Sequence, residues 1–141
     1  MLDASVAVAW HFRDEQFSQL ARQILRSVIA GDIRLIAPQH LWYEVPNAIT
    51  VAAQRRSRMS EAEARLALAE FLALDIPAIA DESLVLAAQD VAFQRGCAFY
   101  DALYVALAER LNLPLLTADR RLFELLAPHP LVLWIADYRE P

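Results

Sequence analysis

Apolar residues recur at helical spacing along most of this chain, interrupted by short apolar runs of strand length. Phe17, Leu20, Ala21, Ile24, Leu25 and Val28 form one stripe, which predicts a helix over 14–30 ending at Gly31-Asp32. Residues 33–37 then read as a strand, and Pro38 as the start of a helix carrying Glu44 and reaching residue 54. Pro46 lies inside that helix and predicts a kink, because proline has no amide hydrogen to bond the preceding turn. Ser60 with Glu63 has the spacing of a capping box and heads a helix over 61–74. Beyond it the pattern predicts a strand over 76–80, a helix over 83–95 closed by Gly96, and a helix over 101–111 ended by Asn112. A strand over 113–117, a helix over 120–126 and a last strand over 131–135 complete the chain. Strands separated by helices imply an α/β fold in three layers, a central parallel sheet of about four to five strands with helices on both faces. Sites in such folds lie at the carboxyl ends of the strands.

Four acidic residues fall near such ends. A helix over 101–111 is about 16 Å long, and a five-residue strand covers about the same distance back. Asp119, just past that strand, therefore returns to the level of Asp101 at the helix start. Asp3 follows an apolar dipeptide directly, and Glu44 lies in the helix after the strand at 33–37. Carboxylates gathered without cysteine or histidine suit a hard cation such as Mg²⁺ or Mn²⁺.

Each acid also has an ordinary explanation. Asp3, Asp101 and Asp119 stand where helix N-caps stand. Glu44 fits that account less well, since Leu41, Trp42, Val45, Ala48 and Ile49 surround it with apolar positions and a buried carboxylate requires a partner. Caps alone give no reason for four acids to converge on one sheet edge; if they converge, a cation or a shared proton must offset their repulsion. His11, His40 and His129 are scattered without i, i+4 pairing and read as surface or turn residues. Ser5 lacks the surroundings of a nucleophile and reads as a helix-start hydroxyl. Trp10, Trp42 and Tyr100 are candidates for stacking on bases or for the core.

Composition narrows the class. The chain has 141 residues, enough for one domain with a core of its own, and 57 % of them are hydrophobic, above the usual ~45–50 %. That excess predicts a partner or self-association face, for which the helices 39–54 and 61–74 are the candidates. A lone cysteine, Cys97, offers no internal disulfide. No apolar run reaches the ~18 residues of a membrane span and no signal peptide is evident, so a cytoplasmic location is expected. The net charge of −5 argues against nonspecific adhesion to nucleic acid. All thirteen basic residues are arginine, so every cationic phosphate contact is available to a bidentate fork. The run at Arg55, Arg56 and Arg58 is a solvated helix end or a phosphate contact.

Some acidic-site α/β families are excluded. A haloacid-dehalogenase-type phosphatase needs a second Asp two positions after the first, where this chain has Ser5, and a response-regulator receiver needs a lysine. Over nearly its whole length the chain resembles the PIN-domain nucleases, and within them the VapC-type toxins of toxin-antitoxin modules. The resemblance is carried in order by LDASVAV at the start, YEVPN at 43–47, YDALYVALAE at 100–109 and LLTADRRL at 115–122.

The resemblance implies that Asp3, Glu44, Asp101 and Asp119 are the metal-binding and catalytic acids. It implies Asn47 and Thr117 as polar supports, with Ser5 beside them, and a Mg²⁺- or Mn²⁺-dependent endoribonuclease that hydrolyses RNA. The implied partners are an RNA substrate, a VapB-like antitoxin and a second copy in a homodimer, with no membrane. Arg120, Arg121, Arg55, Arg56 and Arg58 are the candidate phosphate contacts. The alternatives are a PIN-type nuclease in RNA processing without an antitoxin and an inactive PIN-like binding module. In one respect the chain departs from the family: only Met1 and Leu2 precede Asp3, which predicts a very short first strand or a chain that begins late.

Overall fold

The computed structural model describes residues 1–55 and 58–139. Its elements in chain order are α1 (Ala4–His11), α2 (Ser18–Ala30), β1 (Ala37–Pro38), α3 (Leu41–Gln54), α4 (Glu61–Ala73) and β2 (Ala78–Ile79). They continue with α5 (Glu82–Arg95), α6 (Phe99–Leu111), β3 (Leu115–Thr117), α7 (Arg120–Leu126) and β4 (Val132–Trp134), followed by a 3-10 turn over Ile135–Asp137.

α6 is the centre of the molecule. Ala102 to Ala108 are buried without interruption, so this helix is covered on all sides rather than along one stripe. It packs on α5, β1 and β3. Its small residues, Ala102, Ala106 and Ala108, allow close approach, while Tyr104, Val105 and Leu107 fill the space between elements. Asn112 ends the helix in the left-handed conformation at φ 49°, which Asn tolerates better than most residues. α5 ends the same way at Gly96, φ 68°, where a side chain would be strained.

The strands are parallel but shorter than their apolar runs. Leu115 pairs with Val132 and Thr117 with Trp134; Ala37 pairs with Ala78 and Pro38 with Ile79. Leu2 adds a parallel bridge to Leu116, fixed by Leu116 N–H to Met1 O and Asp3 N–H to Leu116 O, both 3.0 Å. The α-amino group of Met1 donates to Pro114 O at 2.7 Å. Among the described residues the ladders are β1 with β2 and Leu2 with β3 and β4, rather than one continuous sheet of the expected width.

Prolines explain much of the shortening. Ala37 N–H and Gln39 N–H bond Pro77 O and Ile79 O, so the intervening residue 38 turns its backbone nitrogen to the other edge. Being proline, it has no donor to extend the sheet there. Pro38 therefore belongs to a strand, and the next helix starts at Leu41 rather than at Pro38. The run at 33–37 forms a ladder only at its end, and those at 76–80, 113–117 and 131–135 only at their middles or ends. Pro46 is carried inside α3, with Thr50 Oγ1 donating to Pro46 O at 2.7 Å.

The long helix expected over 14–30 begins only at Ser18. Asp14 and Glu15 are drawn to Arg58 at 2.5 and 2.8 Å, and Ser18 Oγ donates to Arg13 O, so residues 12–17 turn instead. The Ser60–Glu63 capping box heads α4 as its spacing predicts.

At the start of α5, Asp81 accepts from Ser83 Oγ, from Leu84 N–H at 2.8 Å and from the Arg110 guanidinium at 2.7 Å. The Ser83 and Arg110 donors together hold its carboxyl down to about 2, from 3.8. A depressed carboxylate stabilises the fold above its unfolded value and loses that contribution as pH falls through the folded one. The stability advantage of the wild type over Asp81→Asn should therefore shrink between pH 4 and pH 2, read from urea midpoints of the two proteins across that range.

Candidate functional site

Asp3 is 4 % exposed. It caps α1, accepting from Ser5 N–H at 2.7 Å and Val6 N–H at 3.4 Å, and it is also bonded by the hydroxyls of Ser5 and Thr117. Ser5 Oγ in turn accepts from Ala118 N–H at 2.9 Å, and Thr117 Oγ1 from Asp119 N–H at 3.0 Å. Two hydroxyls therefore tie the first acid to the segment that presents the last one. Burial still dominates, and it pushes the Asp3 carboxyl up to about 6 against the lowering by its donors.

Asp119 caps α7 by accepting from Leu122 N–H at 3.0 Å. Asp101 is the third residue of α6 rather than its cap; Ala98 holds the cap position and offers no side-chain oxygen. Burial raises the Asp101 carboxyl and the Asp119 charge adds to the rise, while Arg121 opposes it. Glu44 is raised by burial and by the charges of Asp3 and Asp101, and lowered by the hydroxyl of Tyr104, which donates to its Oε2 at 2.7 Å. The electrostatic links thus run from Asp3 to Glu44 to Asp101 to Asp119. Asp3 and Asp119 follow the Leu2 bridge and β3, and Glu44 and Asp101 lie in the first turns of α3 and α6.

They do not close on a point. Among the described residues, no three or more of His, Cys, Asp and Glu are gathered tightly enough to hold an ion as the side chains stand. Asp3, Asp119 and Glu44 are each turned toward a local donor. The set is nonetheless all oxygen, with no nitrogen or sulfur donor among the four, and fits a hard cation. A cavity of about 610 Å³ between Trp10, Phe12, Arg22, Arg58 and Glu70 contains none of these acids, so depth alone does not mark this site.

The other expected site residues are dispersed. Asn47 is exposed on α3. Arg121 lies where its charge acts on Asp101, whereas Arg120 pairs with Glu124 at 2.7 Å and covers Trp134. Arg55 ends α3, exposed; Arg58 is engaged by Asp14 and Glu15 and covers Phe12; Arg56 lies outside the described residues.

Two of the histidines, expected as surface or turn residues, have side chains packed inward. The His129 side chain is 4 % exposed and holds Glu109 at 2.9 Å. That of His40 is 11 % exposed and lies 3.4 Å from Glu44 Oε2, packed against the rings of Tyr100 and Tyr104. Sequence reasoning also missed Tyr104 as the donor to Glu44. Their spacings carried the signal: His40 is i−4 from Glu44 and Tyr104 is i+3 from Asp101, so each shares a helix face with an acid.

Parallel strands under helices, with carboxylates at the strand ends, define the class: an α/β protein with an acidic site at the carboxyl edge of its sheet. The chain belongs to the PIN-domain family, in its VapC-type branch. The PIN domain pattern matches residues 1–127. Ribonuclease VapC3 of Pyrobaculum aerophilum is 34 % identical over 128 residues, which span 88 % of this chain and 92 % of that protein. The crystal structure of PAE2754 from the same organism superposes with a TM-score of 0.69 at 28 % identity, covering 96 % of this chain and 89 % of that one.

Tyr104→Phe removes the donor to Glu44 without altering the shape of the core. Because Glu44 is partly exposed and water can replace the hydroxyl, the loss should be about 1 kcal/mol, measured by urea unfolding in EDTA.

Proposed function

We propose that this protein is a metal-dependent endoribonuclease, the toxin of a toxin-antitoxin pair, acting through Asp3, Glu44, Asp101 and Asp119. The observation that carries the proposal is the placement of these four acids at the first turns of α3 and α6 and at the caps of α1 and α7 in a chain of the PIN family. The relative named as a ribonuclease supports the substrate class.

Asp3, Asp101 and Asp119 would hold Mg²⁺ or Mn²⁺. When bound, such an ion supplies a water of lowered pKa and neutralises charge on the phosphoryl oxygens. Ser5 and Thr117 orient Asp3 through their hydroxyls, so the most buried acid has one rotamer to offer. Tyr104 occupies Glu44 Oε2, which leaves Oε1 to take a proton from water at the scissile phosphate. Arg121, facing Asp101, contacts RNA phosphate, while Arg120 is already paired. Asn47 supports the site from the exposed turn of α3 after Glu44.

The partners follow from surfaces that a single chain leaves uncovered. Ala62, Leu66, Ala69 and Ala73 form an exposed stripe on α4, suited to an antitoxin segment laid across α3 and α4. Leu86 and Phe93, 65 % and 80 % exposed on α5, suit a second copy in a homodimer. No helix among the described residues is long and apolar enough to cross a membrane.

The test is cleavage of a mixed structured RNA pool with and without Mn²⁺, with cut ends sequenced. Asp101→Asn should lower the rate by on the order of 100-fold or more while the variant stays folded. Metal-independent cutting, or full activity in Asp101→Asn, would overturn the assignment. Arg121→Ala should raise KM and reduce the salt slope by about one unit, and Arg120→Ala should leave both near the wild type. Cleavage measured across a salt series checks the pair.

A further inference from the structure

We propose that the outward face of Tyr100 is a base-stacking subsite that selects unpaired nucleotides beside the carboxylates. The proposal rests on the ribonuclease reading and adds to it a recognition residue that carries no charge.

Tyr100 is the second residue of α6 and 60 % exposed. Its inner face is occupied. The His40 ring lies against it at a centroid distance of 5.5 Å and an interplanar angle of 35°. His40 meets Tyr104 edge-on at 4.6 Å, and the Tyr104 hydroxyl bonds Glu44 Oε2. Phe99 braces the Tyr100 ring from the side at 6.2 Å and 66°. The ring is therefore held by two aromatic neighbours while 60 % of the residue remains exposed. A single exposed aromatic residue is unremarkable; one whose orientation is set by contacts ending on an active-site carboxylate is placed for use.

Helix geometry supplies the distance. Tyr100 and Tyr104 share a face at i, i+4. Asp101 follows Tyr100 by about 3.8 Å of backbone and about 100° around the axis. The open ring and the acids thus occupy adjacent sides of one turn. A base resting on Tyr100 brings the phosphate of its own strand toward Asp101. A base within a duplex is stacked on its neighbours and presents no free face, so the platform favours single-stranded or splayed-out nucleotides whatever their sequence. Stacking neutralises no phosphate, so its contribution leaves the salt slope unchanged, unlike that of Arg121.

The test uses the full chain in EDTA with a labelled single-stranded oligoribonucleotide, the same strand carrying an abasic residue, and its duplex. Fluorescence anisotropy should show Tyr100→Ala binding the intact single strand on the order of 10-fold more weakly, with an unchanged salt slope and little change for the duplex. Tyr100→Trp should restore affinity, and 5-iodouridine in the strand should photo-crosslink to residue 100. With Mn²⁺, Tyr100→Ala should raise KM and leave kcat near the wild type. Equal affinity of wild type and Tyr100→Ala, or parallel losses for single strand and duplex, would overturn the subsite. So would a change in oligomeric state at constant RNA affinity, which would show the ring covered by a second copy. A wild type that cuts RNA with Mn²⁺ yet is indifferent to residue 100 overturns the subsite alone. A wild type that neither binds nor cuts RNA overturns the ribonuclease reading as well.

Discussion

The buried carboxylate of Asp3 is the constraint on which the site depends. A carboxylate taken out of water costs several kcal/mol unless donors replace the lost hydration. Here two backbone amides and two hydroxyls surround it, and no cation among the described side chains does. The donors come from two separate stretches, the first turn of α1 and the end of β3. Satisfying one group therefore locks together segments more than a hundred residues apart in sequence. The same hydroxyls reach onward to Ala118 and Asp119, so the position of the last acid is a consequence of satisfying the first.

That arrangement leaves net negative charge in a partly buried space. Burial raises the carboxyls of Glu44 and Asp101, the neighbouring acids add to the rise, and Arg121 opposes it at Asp101. The fold tolerates the repulsion because each acid except Asp101 has a local donor, and because α6 is braced along its whole length by α5 and the strands. A rigid, well-packed support carrying unfavourably close charges is the usual relation between core and active site. Tyr104 joins the two, with its ring buried in the core and its hydroxyl on Glu44.

The exposed aromatic and arginine residues divide by what already holds them. Arg120 and Arg58 are neutralised by neighbouring acids and spread over aromatic rings, so their charge serves the fold. Arg121 directs its charge to Asp101. Tyr100, packed against His40 and 60 % exposed, is the uncharged residue proposed to act beside it.

The sequence by itself determined most of the helices, several of their ends and the PIN family of the chain. Those features depend on residues near one another in the chain: the Ser60–Glu63 box, Gly96, Asn112, and motifs such as YDALYVALAE. It also announced Ser5 and Thr117 by proximity to Asp3 and Asp119. Only the tertiary structure decided how short the strands are, since ladder length depends on which partner lies alongside and where Pro38 withholds a donor. The helix expected over 14–30 starts only at Ser18, while Asp14 and Glu15 pair with Arg58, and no local pattern encodes a partner more than forty residues away. The burial of His40, its place beside Tyr100 and Tyr104, and the pairing of Arg120 with Glu124 are likewise products of packing. Side chains adjacent in sequence point in different directions around a helix, and only the surrounding elements determine which direction meets the site.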